Sequence, residues 1–398
     1  MKHKKSISIY LDYAASTPLA PEVVKAMDHC QSEFGNPGSL HALGQRAISL
    51  LDESRQVIAQ SLGANFNEII FTGSATEANN LALRGVVKLF KSRFPKVRSH
   101  LIISAIEHES VLATAKDLTS EGVELTILGV SPDGLINSKE LSAALRSNTV
   151  LVSIMHANNE TGVIQPLSKI AEIIQRFRHN NKKADLGENR YPLLHTDAAQ
   201  SLQFIKYDLK NLGVDLLTVS AQKIYGPKGV GTLYVKRSKS ISDILSPIIT
   251  GGGQEYGLRS GTENISGVVG FARAVSLVAK SREATVERLT KLRLEFETGL
   301  KSLSRQVVIH SEKAPRLPHI VSFRLSGVSN EKALIKLDQN GVRLATGPAC
   351  ASRSHNPSHV LLAMSLTERA TKESLRVSFG RDTTSKELEV TLKQIKSF

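Results

Sequence analysis

The sequence predicts an α/β protein: a large domain with a mostly parallel seven-stranded sheet flanked by helices, and a smaller α+β domain. Three observations lead there. The chain has 398 residues, more than the ~250 to 300 at which one hydrophobic core usually stops growing. From residue 68 to 235, short runs rich in Val, Ile and Leu alternate with longer stretches of helical periodicity, the pattern of repeated β-α units around a parallel sheet. After the glycine-rich "TGGGQEYGLRSGTEN" (250–264) that alternation stops and a long charged helical pattern takes over.

In chain order the expected strands are "EIIFTG" (68–73), "HLIISA" (100–105), "VELTIL" (123–128), "TVLVSIM" (149–155), "PLLHTDA" (192–198), "VDLLTVSA" (214–221) and "VGTLYV" (230–235). Each is a short run of strand length. Between them the apolar spacing predicts helices over 76–90, 110–122 and 167–180, and the polar "NKKADLGENRY" (181–191) reads as an exposed loop. Beyond 260 the pattern predicts a long helix near 280–304 and strands near 319–325 and 375–380. The domain boundary is therefore placed so that 15–260 form the large domain, while 1–14 and 261–398 form the small one.

Composition narrows the function class. With 41% hydrophobic and 22% charged residues, and no apolar run near the ~18 residues needed to cross a bilayer, a membrane protein is not expected. The basic start "MKHKKSISIYLDYAAS" lacks the apolar stretch and small-residue cleavage site of a secretory signal. Two cysteines, Cys30 and Cys350, offer neither a disulfide framework nor paired metal-ligand spacing, so no metal site is expected and the chain reads as cytoplasmic. The net charge of +14 would steer acidic partners, but the basic residues are scattered and carry no nucleic-acid-binding signature. No direct nucleic-acid contact is expected.

In an open parallel sheet, ligands bind beyond the carboxyl ends of the strands. Five such ends present "TGSATE" (72–77), "EHES" (107–110), "HANNE" (156–160), "TDAAQ" (196–200) and "SAQK" (220–223), and all five can line one crevice. The amides of Ala75 and Thr76 would open a helix and suit a phosphate, although Ser or Thr before a helix is also an ordinary cap. Asp197 ends an apolar strand, where a carboxylate is costly unless it meets a cation or hydrogen-bond donors. His108 reads either as a cap or loop residue, or as a flat group able to stack on a ring or carry a proton. Lys223 adds an amine with no obvious packing role. A phosphate anchor, a carboxylate for a pyridinium nitrogen, a stacking side chain and a lysine able to form a Schiff base are together what pyridoxal 5'-phosphate requires.

Longer motifs carry a resemblance as well. "YLDYAASTPLAPEV", "FGNPGSLH", "NNETGVIQP", "KIYGPKGVGTLYV", "RSGTEN", "GPACASRS" and "LRVSFGR" occur in this order along nearly the whole chain. With them the chain resembles cysteine desulfurases of the NifS/IscS type, within the class V aminotransferase family of fold-type I pyridoxal-phosphate enzymes. The resemblance implies conversion of L-cysteine to L-alanine, with a persulfide left on Cys350. It makes Lys223 the cofactor-linked lysine, Asp197 the partner of the pyridine nitrogen, Gln200 the donor to the ring hydroxyl and His108 the stacking residue. Ala75, Thr76 and Ser220 would hold the phosphate, with Thr262 reaching it across a homodimer interface. Asn159 and Arg376 would hold the substrate carboxylate, for which a guanidinium fork is well shaped.

Cys350 also reads, by itself, as a small buried apolar residue, whereas its flanking Gly347, Pro348, Ser352, Arg353, Ser354 and His355 suggest an exposed loop with basic neighbours that favour thiolate. Cys30 is expected to be structural. The sulfur acceptor implied by the resemblance is an iron-sulfur scaffold, a relay protein or a tRNA-thiolation enzyme. A selenocysteine lyase or an aminotransferase of the same fold would share the Lys223 constellation. One position departs from the family pattern: members usually carry histidine before the lysine, near the phosphate, and this chain has Gln222.

Overall fold

The computed structural model describes residues 8–181, 191–237, 243–303, 306–347 and 356–398. Seven strands, β1 (Ile69–Thr72), β2 (His100–Ser104), β3 (Glu124–Leu128), β4 (Thr149–Ser153), β5 (Leu193–Asp197), β6 (Leu216–Ser220) and β7 (Gly231–Val235), form one sheet in the order β1-β7-β6-β5-β4-β2-β3. Only β7 runs antiparallel to its neighbours, β1 and β6. These are the seven strands that the sequence predicts, trimmed by a residue or two, and the α/β expectation holds.

Alternation explains why such continuous apolar runs are strands. Ile102 of β2 packs into one hydrophobic cluster with Val152, Leu194 and Leu217, while its neighbours Leu101 and Ile103 pack into another with Val150, Leu193 and Leu216. Both faces are therefore covered. Helices α1 (Ala75–Arg93) and α2 (Glu109–Ser120) close one face; α3 (Leu167–Asn180) and the helix Ala42–Leu62 close the other. Each fully buried Leu, Ile, Val or Phe contributes about 1.5–3 kcal/mol, so a two-faced sheet of this size holds its strand ends firmly.

The long helix departs from expectation. It is α4 (Ile265–Lys301), beginning well before residue 280. Gly267 and Gly270 make its first turns look like loop sequence, yet they answer a packing need: a Cβ at Gly270 would lie 2.7 Å from Met27 Cγ. Its first half, with Val268, Phe271 and Val275, belongs to the core of the large sheet. Its second half, with Leu289, Leu292, Phe296 and Leu300, packs instead with Phe323 and Val377. Those two residues lie in an antiparallel sheet of β8 (Val307–Ile309), β9 (Ile320–Leu325) and β10 (Ser374–Ser378), ordered β10-β9-β8. The two-residue strand Ile9–Tyr10 pairs in parallel with Val342–Arg343, which brings residues 12–17 back to the large sheet. Among the described residues no helix is long and apolar enough to cross a membrane.

Candidate active site

The carboxyl ends of β1, β4, β5 and β6 converge on one cleft of about 250 Å³. Every described residue that the sequence singles out for the cofactor or substrate lines it except Thr262: Ala75, Thr76, His108, Asn159, Asp197, Gln200, Ser220, Gln222, Lys223 and Arg376. Thr262 is exposed and outside this cleft. Cys350 and the expected 182–190 part of the polar loop lie outside the described residues.

The α1 end is built for an anion. Ser74 caps the helix by accepting from the Glu77 amide at 3.1 Å, which leaves the amides of Ala75 and Thr76 without helical acceptors at the positive end of the dipole. Gly231 of β7 lies directly beneath, where a Cβ would meet the Ser74 carbonyl carbon at 2.7 Å, so only glycine lets this turn sit so close to the sheet. Glu77 is kept from spoiling the site: its carboxylate accepts from the Gly73 amide at 2.9 Å and pairs with Arg259 at 2.8 Å.

Asp197 closes β5 at 5% exposure. Its two oxygens accept from Asn79 Nδ2 at 2.8 Å and the Ala199 amide at 2.9 Å. Both partners are neutral amides, so neither is a counter-ion to this carboxyl group. Asn79 also donates to Ser110 Oγ at 2.8 Å, and that hydroxyl in turn bonds His108 Nδ1 at 2.8 Å. The Ser110 amide donates to the same Nδ1, at 3.1 Å, which places the proton of a neutral imidazole on Nε2. Burial pushes His108 below the ordinary histidine range, the charge of Asp197 opposing.

Lys223 does not end β6, as the sequence suggests, but sits one short 3-10 turn beyond it, over Ala221–Lys223. That turn swings its Nζ toward residues far away in sequence. Nζ donates to the carbonyls of Ala14 at 2.9 Å and Ala15 at 2.6 Å, and Gln200 Nε2 donates to the same Ala14 carbonyl at 2.8 Å. Thr17 bonds the Gln222 carbonyl through both its amide and its hydroxyl. Arg376 rises from β10 almost fully buried; Nη1 donates to the Asn159 carbonyl at 2.8 Å and Nη2 to Asp12 Oδ1 at 2.6 Å.

Sequence reasoning missed the N-terminal side of the site. Ala14 and Ala15 act through backbone carbonyls, which leave no side-chain signal. Asn79 could have been found: it is a polar residue on the buried face of an amphipathic helix, and it is fully buried. Cys30 is buried at the end of the helix Pro21–His29, its thiol against the Ala26 carbonyl. Among the described residues no group of three or more His, Cys, Asp or Glu is placed to hold a metal ion.

The donor set fits pyridoxal phosphate. The cleft offers a phosphate-sized nest of amides, a buried carboxylate with neutral partners, a neutral flat imidazole and an amine, all facing one volume.

The aminotransferase class-V family model matches residues 9–390. Cysteine desulfurase IscS of Dictyoglomus turgidum is 39% identical over 385 residues, covering 96% of this chain and 92% of that protein. A putative cysteine desulfurase IscS 1 of Bacillus subtilis is 37% identical over 390 residues, with 97% of each chain covered. A solved NifS-like protein superposes with a TM-score of 0.86 at 32% identity, covering 98% of this chain and 99% of its own. A structure of SspA in complex with cysteine follows at a TM-score of 0.78 and 33% identity, covering 95% of this chain and all of its own.

Proposed function

The chain belongs to the aminotransferase class-V family, and on that premise we propose that it is a pyridoxal-phosphate-dependent cysteine desulfurase, which converts L-cysteine to L-alanine and leaves the sulfur as a persulfide on Cys350. The observation that carries this reading is the opening of Lys223, Asp197 and Arg376 into one cavity with the N-terminus of α1.

When bound, pyridoxal phosphate supplies a carbonyl that links to amines and a ring that withdraws electrons from the substrate Cα. The amides of Ala75 and Thr76, with Ser220 and Gln222, would hold its phosphate. His108 would lie on one face of the ring, and Gln200 would reach the ring hydroxyl. Asp197, oriented by Asn79 and the Ala199 amide, would hold a proton at the ring nitrogen. Arg376 and Asn159 bind the substrate carboxylate and so fix which Cα bond faces Lys223. Lys223 Nζ then takes the Cα proton, with the Ala14 and Ala15 carbonyls stabilising the ammonium it becomes. Cys350 thiolate would take the sulfur atom from the substrate side chain: an S–S bond forms, the carbon–sulfur bond breaks with its electron pair left on the substrate carbon, and protonation of that carbon gives alanine.

Thr262, exposed and away from its own cleft, supports a homodimer in which it completes the partner's phosphate site. The reading includes two domains, 15–260 and the remainder, a cytoplasmic location, and transfer of the persulfide to an iron-sulfur scaffold, relay or tRNA-thiolation protein. Labelled L-cysteine tests it. Wild-type protein should yield alanine and carry label on Cys350, whereas Cys350→Ala should keep its visible cofactor absorbance yet form no persulfide. Lys223→Ala should lose turnover altogether. Near-normal alanine output from Cys350→Ala would remove the desulfurase reading.

A further inference from the structure

Arg376 does not wait for a ligand with its charge uncompensated. Its Nη2 already donates to Asp12 Oδ1 at 2.6 Å, and Nη1 to the Asn159 carbonyl at 2.8 Å. The arginine side chain is 2% exposed, against 21% for Asp12. Asp12 is set there by its backbone: its carbonyl accepts from the Ala15 amide at 3.0 Å and from the Tyr10 hydroxyl at 3.0 Å, and Ala14 is tied to Ser378 Oγ at 2.9 Å. The same short segment supplies the carbonyls that hold Lys223.

Other groups near Arg376 do not take over the counter-ion role. Glu160 is fully buried, burial pushes its carboxyl toward the neutral acid, and it accepts from Ser358 rather than from the arginine. His319 is kept neutral by burial, and Lys223 carries the same sign as Arg376. Among the described residues, Asp12 is thus the carboxylate in ion-pair contact with Arg376.

A carboxylate entering the cleft therefore meets a guanidinium that is already neutralised, and has to share it with Asp12. We propose that Asp12 is an affinity-limiting counter-ion, which keeps the grip of Arg376 on amino-acid carboxylates weak enough for the product to leave. The proposal rests on the reading of Arg376 as the carboxylate-binding residue. Asp12 acts through Arg376 and is a tuning residue, not one that reacts.

The test uses the holoenzyme and two amines that differ only in the carboxylate, L-alanine and ethylamine, titrated by the change in cofactor absorbance. Asp12→Asn keeps an oxygen acceptor for Nη2 but removes the charge. L-Alanine should bind about tenfold more tightly, the size expected for deleting one like charge a few ångströms away in a partly buried site, and ethylamine within about twofold of wild type. Asp12→Ser serves as the second neutral variant should the first fail to fold, and Asp12→Glu, which keeps the charge, should stay close to wild type. Unchanged or weaker alanine binding in the neutral variants, or equal shifts for both amines, would overturn the proposal. Arg376→Gln separates the two layers. If it weakens alanine alone while the neutral Asp12 variants change nothing, only this inference fails; if it leaves alanine unaffected, the carboxylate reading of Arg376 fails and this inference with it.

Discussion

Two buried arginines in this protein pair with carboxylates and do opposite things with the pair. Arg55 meets Glu255 through both ends of its fork, at 2.8 and 2.7 Å, and the two side chains are 5% and 2% exposed. Its Nη1 also caps the Ile69 carbonyl, and the rings of Phe71, Phe66 and Tyr256 lie 4.7, 5.6 and 5.4 Å from its guanidinium carbon. Glu255 in turn accepts from the Phe71 amide. Both Nη atoms are taken up in this way, and the remaining donor, Nε, is buried. The pair holds Glu255 and Tyr256 in left-handed backbone, at φ 48° and 58°, which costs of order 1 kcal/mol or more per residue and persists only when surroundings enforce it. The loop so fastened carries Arg259 to Glu77, in the first turn of α1. Arg376 meets only one carboxylate oxygen, from Asp12, which is itself 21% exposed, and Arg376 lines the cavity. The difference teaches that burial of the arginine does not separate a sealed ion pair from one that opens on a cavity; what separates them is how many donors the partner uses and whether that partner is itself sealed.

The largest expected effect tests that distinction directly. Glu255→Ala leaves a buried, unpaired guanidinium and should cost about 3–5 kcal/mol of stability in chemical denaturation, whereas Asp12→Asn, at a half-open pair, should cost about 1 kcal/mol or less. Equal losses would break the comparison.

A third buried group extends it, because its described partners are all neutral. Glu107, just before His108, is fully buried and accepts from the Ser104 hydroxyl and the Met155 amide. Burial pushes its carboxyl up to about 8. The unfolded chain releases this proton near the ordinary value of ~4.3 and the folded protein retains it to about 8. The favourable contribution is therefore complete below ~4 and lost progressively as pH rises toward 8. Glu107→Gln should gain on wild type across that window by a few kcal/mol, at ~1.4 kcal/mol per pKa unit, when denaturation is measured at several pH values. A constant difference between the two proteins would mean that Glu107 is ionised in the fold.

The smallest effect sharpens the cleft side. Gln222 lines the cavity, at the position where the resemblance leads one to expect histidine. Its amide offers a neutral bond, typically ~0.5–1.5 kcal/mol against roughly 1.5–3 with a charged group. Gln222→His should therefore bind pyridoxal phosphate more tightly by about 1 kcal/mol, the advantage growing below pH ~6.5 as the imidazole charges. Equal cofactor affinity from roughly pH 5.5 to 8.5 would show that residue 222 does not touch the phosphate.

The sequence by itself determined the seven strands, because a strand buried on both faces must be apolar throughout, and composition records that burial. It also determined which polar residues share the cleft, since residues at the carboxyl ends of parallel strands are brought together by topology alone: Asp197 at the end of β5 and Lys223 just past β6 could hardly diverge. Tertiary structure decided the rest. The glycines of α4 read as breaks until Met27 is seen to need the space beside Gly270, and the helix start moved accordingly. Thr262 carries the expected motif yet stands outside its own cleft. Ala14 and Ala15 meet Lys223 across more than 200 positions of chain through carbonyls that every residue possesses, and the Asp12–Arg376 pair spans 364. Such contacts depend on how a terminal strand docks against a distant one, and neither a local pattern of side chains nor their periodicity encodes where that docking places a backbone oxygen.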